Sequence, residues 1–212
     1  MSRSAWILLF CLLRATHACA ATLPALEFSL GFDEKPAATS APMLKLPKGK
    51  FGNAIKLNGV GESVPLGKNS GQWLSKTGTL AAWIKTAVAG DESRFKAPAL
   101  AGVNDLADAE DMFWGWIDKS GHIGIQIGDA PGAHSSSVIN DDKWHHIVLT
   151  RNATNGEVKV YVDGKLEGVE FSDIGAKATH ITALGRSENT NGDTRYFPGL
   201  VDEIRLLSLI HI

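Results

Sequence analysis

Four groups of residues in this sequence have types and spacings that could do chemistry. The first is DDKWHHIVLTRN, Asp141 to Asn152, where two acids, a tryptophan and two adjacent histidines fall together. Acids beside histidines make metal sites and general-base pairs. Spacing removes that reading here. A zinc pair on a helix needs an arrangement such as His-x-x-x-His, and on a strand two ligands must stand two apart to share a face. His145 and His146 are neighbours, so a strand sends them to opposite faces. Asp141 and Asp142 fit a turn, where Asp bonds its own backbone. The segment is expected to be a central strand entered by an Asn-Asp-Asp turn.

The second group is acidic: Asp105, Asp108, Glu110 and Asp111 in NDLADAEDMFW. Sugar-cleaving sites on alternating strand positions need paired carboxylates on one face. Asp108 and Glu110 could share a face, but a solvated loop leading into a strand is expected. The third group, Trp114 and Trp116, is two apart and points one way on a regular strand. The pair could stack on sugar rings, or it could fill a sandwich core. Trp83, inside the apolar LAAWI, is expected in the core. The fourth group lies in and around SENTNGDTRYFPG (187–199), where Arg186, Arg195 and Tyr196 could bind a ligand by hydrogen bonds and stacking.

These residues need elements to hold them. Long helical periodicity is absent, and short alternating or apolar runs bounded by Gly, Asn, Asp and Pro recur instead. Strands are expected at 26–32, 53–59, 78–86, 112–118, 122–128, 144–152, 157–164, 180–186 and 200–207. EVKVYVDGKLEG reads as a hairpin turning at Asp163-Gly164, and IDKSGHIGIQI as a second turning at Lys119 to Gly121. Residues 87–111 and 187–198 are expected to be long polar loops. The pattern indicates an all-β, two-sheet antiparallel sandwich or jelly roll in one domain.

Composition narrows the function. The net charge of −2, with no basic run, argues against nucleic acid and against an anionic membrane surface. Residues 1–20 read as a secretory signal peptide: Arg3, an apolar run from Ala5 to Leu13, and Ala18-Cys19-Ala20 before the cleavage point. Cys19 leaves a lipid-attached alternative open. No stretch is long enough to span a bilayer as a helix. Both cysteines, Cys11 and Cys19, fall inside the leader, so disulfides and thiol catalysis drop out of the mature chain. A secreted protein, extracellular or periplasmic, is expected.

The order FDE (32–34), GKFGNAIKLNGVGESV (49–64), GTLAAWIKT, DDKWHHIVLTRN, VKVYVDGKLEG and FPGLVDEIRL (197–206) resembles the concanavalin A-like, laminin-G-like jelly-roll family, in its bacterial secreted, pentraxin-like branch. The resemblance covers roughly residues 26–206. It implies two packed antiparallel sheets and a non-catalytic module that binds a polysaccharide or glycan, the alternatives being a structural or protein-interaction domain of a cell-surface protein and, behind it, a divergent glycosidase. It also implies a structural calcium ion between Asp33 and Asp202, with Glu34, Glu203 and Asn53 as weaker candidates; carboxylates from the two chain ends would staple them together. The final LSLIHI (207–212) departs from the family's usual run and matches a reading frame of a sequencing-library adapter. Native sequence is therefore expected to end near Leu206, as a fragment of a larger protein.

Overall fold

Alternating runs become strands wherever one side can be buried, and the computed structural model shows which ones are. It describes residues 26–31, 46–66, 70–104, 111–178, 181–189 and 192–208. The signal segment 1–20, Asp33, Glu34, and the acids Asp105, Asp108 and Glu110 lie outside these residues. In chain order the first strands are β1 (Leu26–Leu30), β2 (Ile55–Asn58), β3 (Val64–Pro65), β4 (Gly78–Lys85) and β5 (Ala101–Asn104). Next come β6 (Met112–Ile117), β7 (His122–Ile127), β8 (Ala133–Val138), β9 (His145–Arg151) and β10 (Glu157–Val162). The last are β11 (Lys165–Phe171), β12 (Ala183–Leu184), β13 (Arg186–Asn189), β14 (Arg195–Tyr196) and β15 (Pro198–Leu207). One 3₁₀ turn, Ser70–Ser75, precedes β4.

Seven strands form one sheet in the order β1-β15-β4-β9-β10-β11, with β2 also on β15. The long β15 carries β1 beside Ile204–Leu207 and β2 beside Pro198–Val201. Six strands form the second sheet, β14-β13-β5-β6-β7-β8, and β3 pairs with β12 separately. The pairings are antiparallel except β13 on β5, which is parallel. This is the expected all-β sandwich. At one side the two sheets meet: the backbone N–H and hydroxyl of Ser137 on β8 donate to the Glu167 carboxylate on β11, at 2.8 and 2.7 Å.

The core lies between the sheets. Leu80, Ala82 and Ile84 of β4, Ile147 and Leu149 of β9, and Val158, Val160 and Val162 of β10 face it from the seven-stranded side. Met112, Trp114, Ile117, Ile123, Ile125 and Ile127 face it from the other. Each large side chain removed from water here contributes about 1.5–3 kcal/mol. The segment DDKWHHIVLTRN is a central strand, β9, between β4 and β10. The last residue of β9, Arg151, is fully buried. Its guanidinium donates to four main-chain carbonyls: Ser75 at 2.9 Å, Lys76 at 3.3 Å, Asp173 at 3.2 Å and Gly175 at 2.6 Å.

Both expected hairpins form. Asp163 and Gly164 have φ of 50° and 80°, the left-handed pair that a tight two-residue turn requires. Three expectations are corrected. The 87–111 and 187–198 segments are not plain loops, because they contain β5 and the β13–β14 hairpin. Both are short pieces that strand pairing selects, without an alternating pattern of their own. Trp83 is not core; it is half-buried on the outer face of the seven-stranded sheet, since Leu80, Ala82 and Ile84 have the inward parity.

Candidate functional site

The tryptophan pair fails as a sugar platform for a backbone reason. Gly115 takes φ 72° and the β6–β7 register shifts between Trp114 and Trp116. A Cβ at Gly115 would stand 2.7 Å from Leu100 Cδ1, so the position suits glycine alone. This β-bulge turns the two indoles to opposite faces. Trp114 is 0% exposed in the main core, and Trp116 is 6% exposed against Phe113, Phe95, Ala97 and Ala99. Neither indole presents a ring face to a ligand. Trp116 instead meets His134 edge-on, with ring centroids 4.6 Å apart.

The segment that covers Trp116, residues 87–100, is tied to β6 at both ends. Gly90 N donates to the Asp118 carbonyl at 3.0 Å, and Ile117 N to that of Pro98 at 3.0 Å. Gly90 is forced by proximity: a Cβ there would sit 1.6 Å from the Ile117 carbonyl oxygen. This segment forms one wall of a surface cleft of about 280 Å³. Val88, Asp91, Lys96 and Pro98 line it from that side, and Arg195 and Tyr196 from the β13–β14 hairpin.

The hairpin places the predicted residues as follows. Arg186 pairs with Tyr196 and Ser187 with Arg195 across the two strands. All three predicted residues are therefore neighbours, but Arg186 does not line the cleft. Its guanidinium is held by Glu188 and, at 3.0 Å, by Thr182 Oγ1. Arg195 bonds Asp193 through Nη2, while its Nε is buried with no hydrogen-bond partner. Asp91 Oδ1 accepts the Ser93 amide at 2.9 Å. Arg195 and Tyr196, singled out in the sequence, line the cleft together with Lys96 and Asp91, which had no signal there. An apolar residue pattern can reveal a core, whereas only the fold brings residue 96 to residue 195.

A second surface went unrecognised in the sequence. On the outer face of the seven-stranded sheet, Trp83 lies beside His146 with centroids 5.1 Å apart, and Phe51 meets it edge-on at 5.9 Å. Lys50 Nζ stands 4.4 Å above the Trp83 ring. Farther across, Val148 pairs with Tyr161 and Tyr161 with Leu166, while Val169 and Phe171 pair with Lys159 and Glu157. Leu166, Val169 and Phe171 are exposed, Phe171 by 57%.

Asp202, expected as a calcium ligand, is fully buried beneath the 46–53 loop. Its Oδ1 accepts the Glu203 amide at 2.8 Å and its Oδ2 the Phe51 amide at 3.0 Å. Burial pushes its carboxyl above the usual range, with these amides opposing. Glu203, at φ 48° in a bulge, bonds Arg205 through Oε2 at 2.9 Å, and a Cβ on Gly31 would lie 3.3 Å from its Oε1. Gly31 thus lies beside Glu203. Calcium takes six to eight oxygens, and the described carboxylates alone do not supply them. The fit rests on Asp33.

His145 is gripped rather than poised. Its Nε2 lies 3.0 Å from Asp141 and its Nδ1 2.8 Å from Asp163. Both ring nitrogens face carboxylates, which favours the imidazolium. Burial opposes this, yet Asp163 and Asp141 together raise the pKa. Lys143 first, then His145, hold Asp141 well below the usual carboxylate range. His146 points the other way, toward Trp83, as adjacency on a strand requires.

The family model for the concanavalin A-like lectin/glucanases superfamily, Laminin_G_3, matches residues 58–209. The chain belongs to this family. Among proteins of curated function none matches it in sequence. Solved structures share the fold at low identity. The Ruminococcus gnavus IT-sialidase CBM40 bound to alpha2,6 sialyllactose superposes with a TM-score of 0.59 at 12% identity, covering 89% of this chain and 95% of that one. Domain 4 of AbnA, a GH43 extracellular arabinanase from Geobacillus stearothermophilus in complex with arabinotriose, gives 0.53 at 23%, covering 78% and 75%. The mouse laminin alpha1 chain, domains LG4-5, gives 0.55 at 15%, covering 72% and 40%. The chain spans 40% of that laminin pair and 26% of a Trypanosoma rangeli sialidase that it also resembles. Among the described residues, no helix is long and apolar enough to cross a membrane.

Proposed function

We propose that this domain is a secreted, non-catalytic glycan-binding module that takes its ligand in the cleft between residues 88–98 and the β13–β14 hairpin. The observation that carries the reading is the convergence of Arg195, Tyr196, Lys96 and Asp91 on one concavity of about 280 Å³. A ring for stacking, fixed donors and an acceptor are what a sugar's apolar face and hydroxyls need. Family membership supports a lectin-like role, and solved carbohydrate-binding modules share the fold. A glycan microarray probed with the full chain tests it: binding to at least one polysaccharide class is expected, weakened about tenfold by Tyr196→Ala. No affinity for any glycan would sink the reading.

The exposed row of Leu166, Val169 and Phe171 favours a second reading, a protein-interaction domain of a cell-surface protein. Residues 1–20 support export, and N-terminal sequencing of the exported protein should then begin at Ala21. A structural calcium ion between Asp33 and Asp202 is the third part of the proposal. Chelation with EGTA is expected to lower Tm by a few degrees, and a Tm indifferent to EGTA removes the ion.

A further inference from the structure

We infer that the cleft recognises a carboxylated sugar, a uronate-type residue whose carboxylate is held between Arg195 and Lys96. This rests on the glycan-binding reading above and names the class of sugar. The cleft's size is the first constraint: at about 280 Å³ it stands at the small end of ligand pockets and suits one or two sugar residues.

Charge is the second constraint. Two of the residues lining the cleft are cations, against one acid, Asp91. The chain as a whole is acidic, at −2, so two cations on one concavity stand out, with Asp193 paired to Arg195 beside it. Lys96 is exposed and stands outside every ion pair formed among the described residues. Arg195 meets Asp193 through Nη2 alone, and its buried Nε lacks an acceptor. A guanidinium bonds a carboxylate best through two parallel N–H groups. Asp193 occupies one nitrogen of the fork and leaves the rest of the Arg195 head group to meet a ligand carboxylate. Asp91 accepts but cannot donate, so it suits a sugar hydroxyl beside the carboxylate. Tyr196 offers a ring to the sugar's apolar face.

The test is calorimetric titration of the full chain with oligogalacturonides and with the same oligosaccharides after reduction of their carboxyl groups, each at low and high salt. The acidic ligands are expected to bind at least tenfold more tightly than the reduced ones, with the difference shrinking as salt rises. Lys96→Gln, at an exposed position where folding is not at stake, should narrow the ratio, and Arg195→Gln should narrow it further. Equal affinity for both forms overturns the acidic class and leaves glycan binding standing. An unchanged ratio in both variants overturns the assignment to this cleft. Binding of neither form, with no other glycan bound on the array, overturns the inference and the glycan reading together.

Discussion

Each sheet of this sandwich has an outer face, and each carries a tryptophan beside a histidine. On the six-stranded sheet, Trp116 meets His134, and the 87–100 segment folds over them with Phe95, Ala97 and Ala99 to make a small second core. On the seven-stranded sheet, Trp83 meets His146, and the 46–53 loop brings Phe51 and Lys50 onto one end. At the other end of that face, Leu166, Val169 and Phe171 remain exposed. Strand parity decides which side of a sheet a residue occupies. Whether that side is buried depends on what the connecting segment carries, and here only one connection brings apolar residues in number.

The largest effect expected from this contrast is on Trp116. Replacing it with Ala should cost about 3–5 kcal/mol in chemical denaturation, because a buried indole leaves a cavity. Trp83→Ala should cost about 1–2 kcal/mol, since its indole is only partly withdrawn from solvent. Equal losses would mean that the seven-stranded outer face is covered as fully as the other.

The histidines sharpen the comparison by pH. Burial lowers the pKa of both His134 and His146, so their contribution to stability is present above about 6.5 and is lost as pH falls through their folded values. His145 has the opposite sign. Its raised pKa gives a contribution that is full below about 6.5 and lost as pH rises through the folded value. His146→Gln should therefore reduce the drop in Tm between pH 7.5 and pH 5.5, whereas His145→Gln should enlarge it. A common direction for the two variants would contradict the geometry of the strand they share.

The smallest effect is expected at the exposed end. Phe171→Ser should change stability by no more than about 0.5 kcal/mol while reducing retention on a hydrophobic-interaction column. A larger loss would show that something covers this edge in solution.

Much of the fold was legible in the sequence because pattern and turn chemistry agreed. EVKVYVDGKLEG alternates and turns at Asp163-Gly164, and both features hold. The adjacency of His145 and His146 correctly separated them. What escaped was set by contacts distant in the chain. AGVN (101–104) is a strand because β13 and β6 lie on either side of it. The parity of Trp114 and Trp116 misled, because one glycine at φ 72° breaks the period of two. Trp83 looked like core from its apolar neighbours, although its own parity with Ala81 and Lys85 pointed outward. At the cleft, Arg195 and Tyr196 stood out by type, whereas Asp91 and Lys96 had no local signal at all.

Arg151 carries a consequence for how the domain opens. Its guanidinium joins the turn at Ser75 and Lys76 to the segment at Asp173 and Gly175, and Lys177 N bonds the same Ser75 carbonyl at 2.8 Å. Those carbonyls cannot be released one at a time without stranding a cation that never loses its charge. Residues 73–77, 151 and 173–177 should therefore exchange their amide hydrogens at one common rate, as a single unit that fluctuates together.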